Sequence, residues 1–128
     1  MPTPMAMRAL IVEDSPAMRQ LLALALRRYV AEVDEAPDGL EALRLLAQTH
    51  YDLLFVDLNM PILDGMKLIK RVREDQGFLG TKIVVCTTES ASATEMQARS
   101  LGADYFLRKP VARRDIERVL AEAFPPPR

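Results

Sequence analysis

Three stretches of this chain are apolar at every position: Ala9-Leu10-Ile11-Val12, Leu53-Leu54-Phe55-Val56 and Ile83-Val84-Val85-Cys86. A strand with one wet face alternates apolar and polar residues, so an unbroken run has to be buried on both sides. Between the runs lie segments in which apolar residues recur at helical spacing. Buried strands joined by helices form a parallel sheet covered on both faces. Right-handed crossovers then make a (βα)5 doubly wound α/β domain the simplest arrangement. Tyr105-Phe106-Leu107 and a short segment around Glu32-Val33-Asp34-Glu35 supply the other two strands. At 128 residues one domain is expected, over 8–124, with residues 1–7 and 125–128 as flexible tails.

The helices announce themselves by their ends. Ser15-Pro16 reads as an N-cap followed by proline in the first turn, although Asp14 could cap instead. Met18, Leu21, Leu22, Ala25, Leu26 and Tyr29 form the stripe behind it. Asp38-Gly39-Leu40-Glu41 and Ser92-Ala93-Thr94-Glu95 resemble capping boxes. Leu43, Leu46 and Ala47 are the expected inner face of the second helix. Met66, Ile69 and Val72 are that of the third, which opens at Asp64-Gly65 and ends at Gly77. Gly102 stops the fourth helix. The fifth, with Ile116, Val119, Leu120 and Ala123 inward, lacks a good cap at Val111-Ala112-Arg113.

Composition narrows the function classes. A net charge of −1 gives no reason to expect nucleic acid or an anionic membrane as a partner. No apolar stretch approaches a membrane span, and the N-terminus has no signal-peptide pattern, so a cytoplasmic protein is expected. The single cysteine, Cys86, excludes an internal disulfide and reads as a small core residue. His50 reads as a solvated loop residue. Arg108, Arg113, Arg114 and Arg118 make the last strand and helix basic, either as a solvated face or as a contact for an acidic partner.

Chemistry collects where the strands end. In an open α/β sheet, ligands bind outside the carboxyl ends of the strands. Glu13 and Asp14 follow the first apolar run, Asp57 the third strand, Thr87 the fourth and Lys109 the fifth. Three carboxylates on one rim repel each other by roughly 4 kcal/mol per pair at ~4 Å and an effective dielectric near 20. Lys109 offsets part of this, and a hard divalent ion is the natural second remedy. Mg²⁺ suits oxygen donors, with Mn²⁺ a substitute, whereas zinc would want His and Cys at the rim. A carboxylate beside a cation, a lysine and a hydroxyl suits phosphoryl transfer, with Asp57 as nucleophile.

The motifs carry a resemblance. Leu10-Ile11-Val12-Glu13-Asp14-Ser15, Asp38-Gly39-Leu40-Glu41-Ala42-Leu43, Val56-Asp57-Leu58-Asn59-Met60-Pro61 with Asp64-Gly65, Val85-Cys86-Thr87-Thr88-Glu89, and Gly102-Ala103-Asp104 leading to Lys109-Pro110 follow one another in order. In this the chain resembles the receiver domain of two-component response regulators, similar to the single-domain chemotaxis (CheY-like) regulators. The resemblance implies a flavodoxin-like fold with strand order 2-1-3-4-5. It implies that Asp57 accepts phosphoryl from a histidine kinase or a phosphotransfer protein, and that Asp14 and Asp57 bind Mg²⁺ directly. Glu13 would act through a metal-bound water, and the carbonyl of Asn59 would complete the set. Lys109 would pair with the phosphate and precede a cis proline. Thr87 and Phe106 would be the switch pair, and Asn59 and Glu89 would tune self-dephosphorylation. The output would be a protein target bound at the fourth helix, fifth strand and fifth helix.

Four residues depart from the family pattern. Glu13 replaces an aspartate, Thr88 stands where a small residue is usual, Val111 replaces a frequent phenylalanine, and Phe106 lacks the hydroxyl of the chemotaxis relatives' tyrosine. A phosphorelay intermediate or a non-chemotaxis adaptor is the alternative expectation. A haloacid-dehalogenase-type phosphatase also forms an aspartyl phosphate but needs a second aspartate where Asn59 stands. Flavin binding fits the topology, but the acidic turn Glu13-Asp14-Ser15-Pro16 is a poor phosphate cradle. An unphosphorylated interaction module would have no use for the acidic set. The chain is thus expected to be a phosphoacceptor rather than an enzyme acting on outside substrates.

Overall fold

A computed structural model describes residues 7–75, 78, 80–89 and 91–125. Strand β1 (Arg8–Val12) leads through α1 (Pro16–Leu26) to β2 (Glu32–Ala36). Then come α2 (Gly39–Gln48), β3 (Leu53–Val56), α3 (Gly65–Glu74), β4 (Lys82–Thr87), α4 (Ser92–Leu101), β5 (Tyr105–Arg108) and α5 (Arg113–Ala123). The five strands form one sheet in the order β2-β1-β3-β4-β5, every pair parallel.

The unbroken apolar runs divide their side chains between two cores by the alternation of strand geometry. Leu10, Val12, Leu54, Val56, Ile83 and Val85 face one way, onto Ala42, Leu46, Leu68, Ile69, Val72 and Ala98 of α2, α3 and α4. Ala9, Ile11, Leu53, Phe55, Val84 and Cys86 face the other way, onto Ala23, Leu26, Ile116, Val119 and Leu120 of α1 and α5. Each large apolar side chain buried this way contributes roughly 1.5–3 kcal/mol. Cys86 is therefore the core residue expected, and burial pushes its thiol up to about 12.

Ser15, not Asp14, caps α1, its hydroxyl accepting from the Met18 N–H at 3.3 Å. Asp38 and Asp64 cap α2 and α3 by accepting from the Glu41 and Lys67 N–H groups at 2.8 and 3.0 Å. Glu41 does not close a capping box; it pairs with Arg44 one turn on. The second expected box fails outright. Ser92 is already the first residue of α4, Ala91 stands at the cap without a side-chain acceptor, and Glu95 bonds Arg99 at 2.9 Å. Asp115 does for α5 what no cap residue could, accepting from the Ala112 N–H at 3.0 Å.

Several faces are rotated from expectation. Leu21 is 63% exposed and Leu24 66%, because α1 packs on the sheet through Ala23 and Leu26. In α2, Ala42 and Leu46 are buried while Ala47 is exposed; in α3, Leu68 joins Ile69 and Val72, with Met66 only half-buried. The third helix ends at Glu74, and Gly77 lies outside the described residues. The expected tail over 1–7 includes Met7. Met7 is fully buried, and its carbonyl accepts from the Ala31 and Glu32 N–H groups. Residues 1–6 and 126–128 lie outside the described part, and Pro125 is exposed.

Candidate functional site

Register brings the strand ends together. Val12 pairs with Val56, and Val56 with Val85, so the residues that follow emerge side by side. The Asp57 N–H donates to the Val12 carbonyl at 3.0 Å, and the Lys109 N–H to the Thr87 carbonyl at 2.8 Å. Gly65, at the start of α3, lets that helix press on the turn: a Cβ there would lie 2.5 Å from the Asp57 carbonyl oxygen. The Lys109–Pro110 peptide is cis, as the resemblance implied.

Glu13, Asp14 and Asp57 each offer a carboxylate oxygen, all within 4.8 Å of one another. Asp57 and Glu13 are buried, Asp14 exposed. Hard oxygen donors at this spacing fit a divalent cation such as Mg²⁺, which Glu13, Asp14 and Asp57 could hold. Lys109 Nζ donates to Glu13 Oε1 and lies 3.4 Å from Asp57 Oδ1. Glu13 Oε2 accepts from the Ser15 N–H at 3.1 Å, and Arg19 clamps the turn by donating to the Glu13 carbonyl at 2.8 Å. Arg19 also reaches Glu35 at 3.2 Å.

These contacts set the ionisation. Burial, then the negative charge of Glu13, pushes the Asp57 carboxyl up to about 6. Burial opposes ionisation of Glu13 as well, but the bonds from Lys109 and Ser15 outweigh it and hold the group below its ordinary value. Asp14 is raised by desolvation and by Glu13. Burial works against the Lys109 ammonium, yet Glu13 and Asp57 overcome this and raise it. Near neutral pH the rim therefore carries more negative than positive charge, which suits a cation.

Of the remaining expected residues, Thr87, Asn59 and Glu89 flank this centre. Thr87 is buried, and its hydroxyl accepts from the Glu89 N–H at 3.2 Å. Glu89 in turn accepts from the Thr94 hydroxyl in the first turn of α4 at 3.2 Å. The Asn59 N–H points at Asp57 Oδ1, at 3.4 Å, while its side chain is exposed. Asp14, Asn59 and Glu89 line one cleft between α3 and α4. Phe106 is not part of the rim: it is half-buried against the core under α2, α3 and α4. Thr88 is exposed. Val111 lines an apolar cavity of about 310 Å³ beside Asp57 and Lys109, with Met18, Leu21, Leu22 and Ala25. His50 is exposed as expected, 3.4 Å from Asp52 and away from the rim.

Sequence reasoning missed three contributors. Arg19 looks like any polar-face arginine and gives no signal. The close approach at Gly65 was legible only as a helix start. Ile62, at φ +71° in the turn after Asp57, has no residue-type signature at all.

An acidic triad, a hydroxyl and a lysine thus meet at the carboxyl rim of a 2-1-3-4-5 sheet. Residues 9–121 match the response regulator receiver domain, and the chain belongs to that family. It is 34% identical over 106 residues to the chemotaxis protein CheY of Halobacterium salinarum, covering 83% of this chain and 87% of that one. It is 35% identical over 119 residues to the autoinducer 2 sensor kinase/phosphatase LuxQ of Vibrio harveyi, covering 93% of this chain but only 13% of that protein. The chemotaxis protein CheY4 of Vibrio cholerae superposes with a TM-score of 0.86 at 29% identity, over 93% of this chain and 99% of that one. The flavodoxin-like fold and the CheY-like receiver class are those the motifs implied. No described helix is long and apolar enough to cross a membrane.

Proposed function

We propose that this chain is a response regulator that accepts a phosphoryl group on Asp57 from a histidine kinase or phosphotransfer protein, with Mg²⁺ bound. The observation that carries the reading is a buried carboxylate at a strand end, 3.4 Å from a lysine and clustered with two further carboxylates. Asp57 would attack phosphorus through one carboxylate oxygen. The new O–P bond forms as the bond to the donor nitrogen breaks, and the imidazole leaves with the electron pair. Asp14, Asp57 and the Asn59 carbonyl would hold the ion directly, with Glu13 nearby. The bound ion supplies positive charge against the phosphoryl oxygens, as Lys109 does from the other side.

Thr87 links acceptance to output. Its hydroxyl, if turned to donate to the phosphoryl group, would leave the Glu89 N–H. Glu89 is bonded to Thr94, so that change reaches the start of α4. The surface of α4, β5 and α5 is the proposed docking site for a protein target, with Phe106 half-buried beneath it. Arg108, Arg113 and Arg114 are exposed there, which favours an acidic partner. The donor is expected to cover the rim from α1, where Met18 and Leu21 expose apolar surface beside the site. With Asn59 where a phosphatase needs an acid, the phosphoryl group leaves only by hydrolysis or back-transfer, and the chain serves no outside substrate.

Chemotaxis or motility is the pathway we assign, on the similarity to the halobacterial CheY over most of both chains. A phosphorelay receiver is the second reading, favoured by the similarity to LuxQ. Incubation with Mg²⁺ and acetyl phosphate should add one acid-stable, base-labile phosphoryl mass to the protein. No adduct on the wild type, or an undiminished one on Asp57→Ala, would defeat the reading.

A further inference from the structure

Glu13 stands where the family pattern has an aspartate, and its extra methylene changes what the carboxylate reaches. Oε1 accepts from Lys109 Nζ, and Oε2 accepts from the Ser15 N–H at 3.1 Å. Both oxygens are engaged, and the Glu13 backbone is fixed by Arg19. The pair is nearly dry, the Glu13 side chain 6% exposed and that of Lys109 14%. Asp57 is the more distant partner of the ammonium, at 3.4 Å. The lysine is therefore parked on the metal side of the site before any phosphoryl group arrives.

We propose that Glu13 is a positioning residue that holds the Lys109 ammonium, and that a divalent cation on Asp14 and Asp57 competes with the lysine for this one carboxylate. The inference rests on reading the rim as a metal-assisted phosphoacceptor. A divalent cation at the triad attracts Glu13 and repels the ammonium, so binding loosens the Glu13–Lys109 pair. Lys109 is then freed from Glu13 and available to the oxygens of a phosphoryl group on Asp57. An aspartate, one methylene shorter, would leave the lysine to Asp57 alone. Because binding linkage is reciprocal, removing the lysine should strengthen cation binding, and the proposal requires most of that gain to run through Glu13 rather than Asp57.

Calorimetric titration of Mg²⁺ into wild type, Glu13→Gln, Lys109→Met and the double variant measures that coupling as a double-mutant cycle. Lys109→Met is expected to tighten Mg²⁺ binding about tenfold in the wild-type background, and by less than about twofold beside Glu13→Gln. Equal tightening in both backgrounds would mean that the lysine acts by charge alone, and would overturn the proposal. A second measurement needs no variant at position 109. The Lys109 side-chain ¹³Cε resonance should move on adding Mg²⁺ to wild type and stay nearly still in Glu13→Gln; equal movement in both would also overturn it. Absence of any Mg²⁺ binding by wild type would remove the metal reading beneath the proposal, and is told apart by a flat titration.

Discussion

The two ends of the sheet use the same kinds of residue to opposite effect. At the amino end, the carboxylates are met by hydrogen-bond donors of their own. Tyr51 donates to Asp34 at 2.6 Å, Thr81 to the Tyr51 carbonyl at 2.7 Å, and Asp52 accepts from the Arg8 N–H at 3.0 Å. Asp104 accepts from both Arg73 and the Ile83 N–H at 2.8 Å, while Arg73 also holds the Phe78 and Gly102 carbonyls. At the carboxyl end, three carboxylates share one lysine, and Asp57 is pushed up to about 6 by burial and by Glu13. One end is balanced for stability; the other keeps a surplus of negative charge that only a cation relieves. Removing a charge should therefore destabilise the first and stabilise the second.

Gly65→Ala should have the largest effect. Its Cβ would meet the Asp57 carbonyl oxygen at 2.5 Å and the Leu58 Cα at 2.7 Å, both backbone, so α3 and the Asp57 turn must separate. A loss of about 3 kcal/mol in urea unfolding is expected, with phosphorylation reduced as well. At the amino end, Asp104→Ala strips Arg73 and the Ile83 N–H of their shared acceptor. It should cost about 2–3 kcal/mol without altering Mg²⁺ affinity. A neutral result there would break the contrast.

Asp57→Asn tests the other end, and the sign should reverse. Because the folded carboxyl titrates near 6 and the unfolded one near 4, this group favours the folded state below about pH 4. That contribution is lost as the pH rises through about 6. Near neutral pH the metal-free Asp57→Asn protein should be more stable than wild type by about 1–2 kcal/mol, after allowing for solvent screening. The gain should vanish below about pH 4. The same proton competes with metal, so Mg²⁺ affinity should fall about tenfold per pH unit below about 6. The smallest effect belongs to Ile62, a β-branched residue at φ +71° and 74% exposed. Ile62→Asn should raise stability by about 0.5–1 kcal/mol, since asparagine tolerates the left-handed region and little packing is lost.

The same contrast explains what could be read from sequence. Runs such as Leu53-Leu54-Phe55-Val56 are legible because nothing but a strand buried on both faces suits them, and the groups that follow such strands fall on one rim by topology. The α1 face was misjudged because Met18 and Leu21 keep helical spacing with Leu22 and Leu26, and periodicity cannot tell a core from an exposed apolar patch. The α4 cap was misplaced because Ser92 and Glu95 have the right spacing while Glu95 has a better partner in Arg99. The pairing of Glu13 with Lys109 spans 96 residues and depends on one methylene of reach, which no local pattern encodes.

The central claim is that the carboxyl rim, with a cation bound, accepts a phosphoryl group at Asp57. Borohydride reduction of the protein after incubation with Mg²⁺ and acetyl phosphate, followed by peptide sequencing by mass spectrometry, locates an aspartyl phosphate as homoserine and a glutamyl phosphate as hydroxynorvaline. Homoserine at position 57 alone, absent when Mg²⁺ is omitted, is the expected result. Homoserine at position 14, hydroxynorvaline at position 13, or no reduced residue at all while the protein remains folded, would contradict the account.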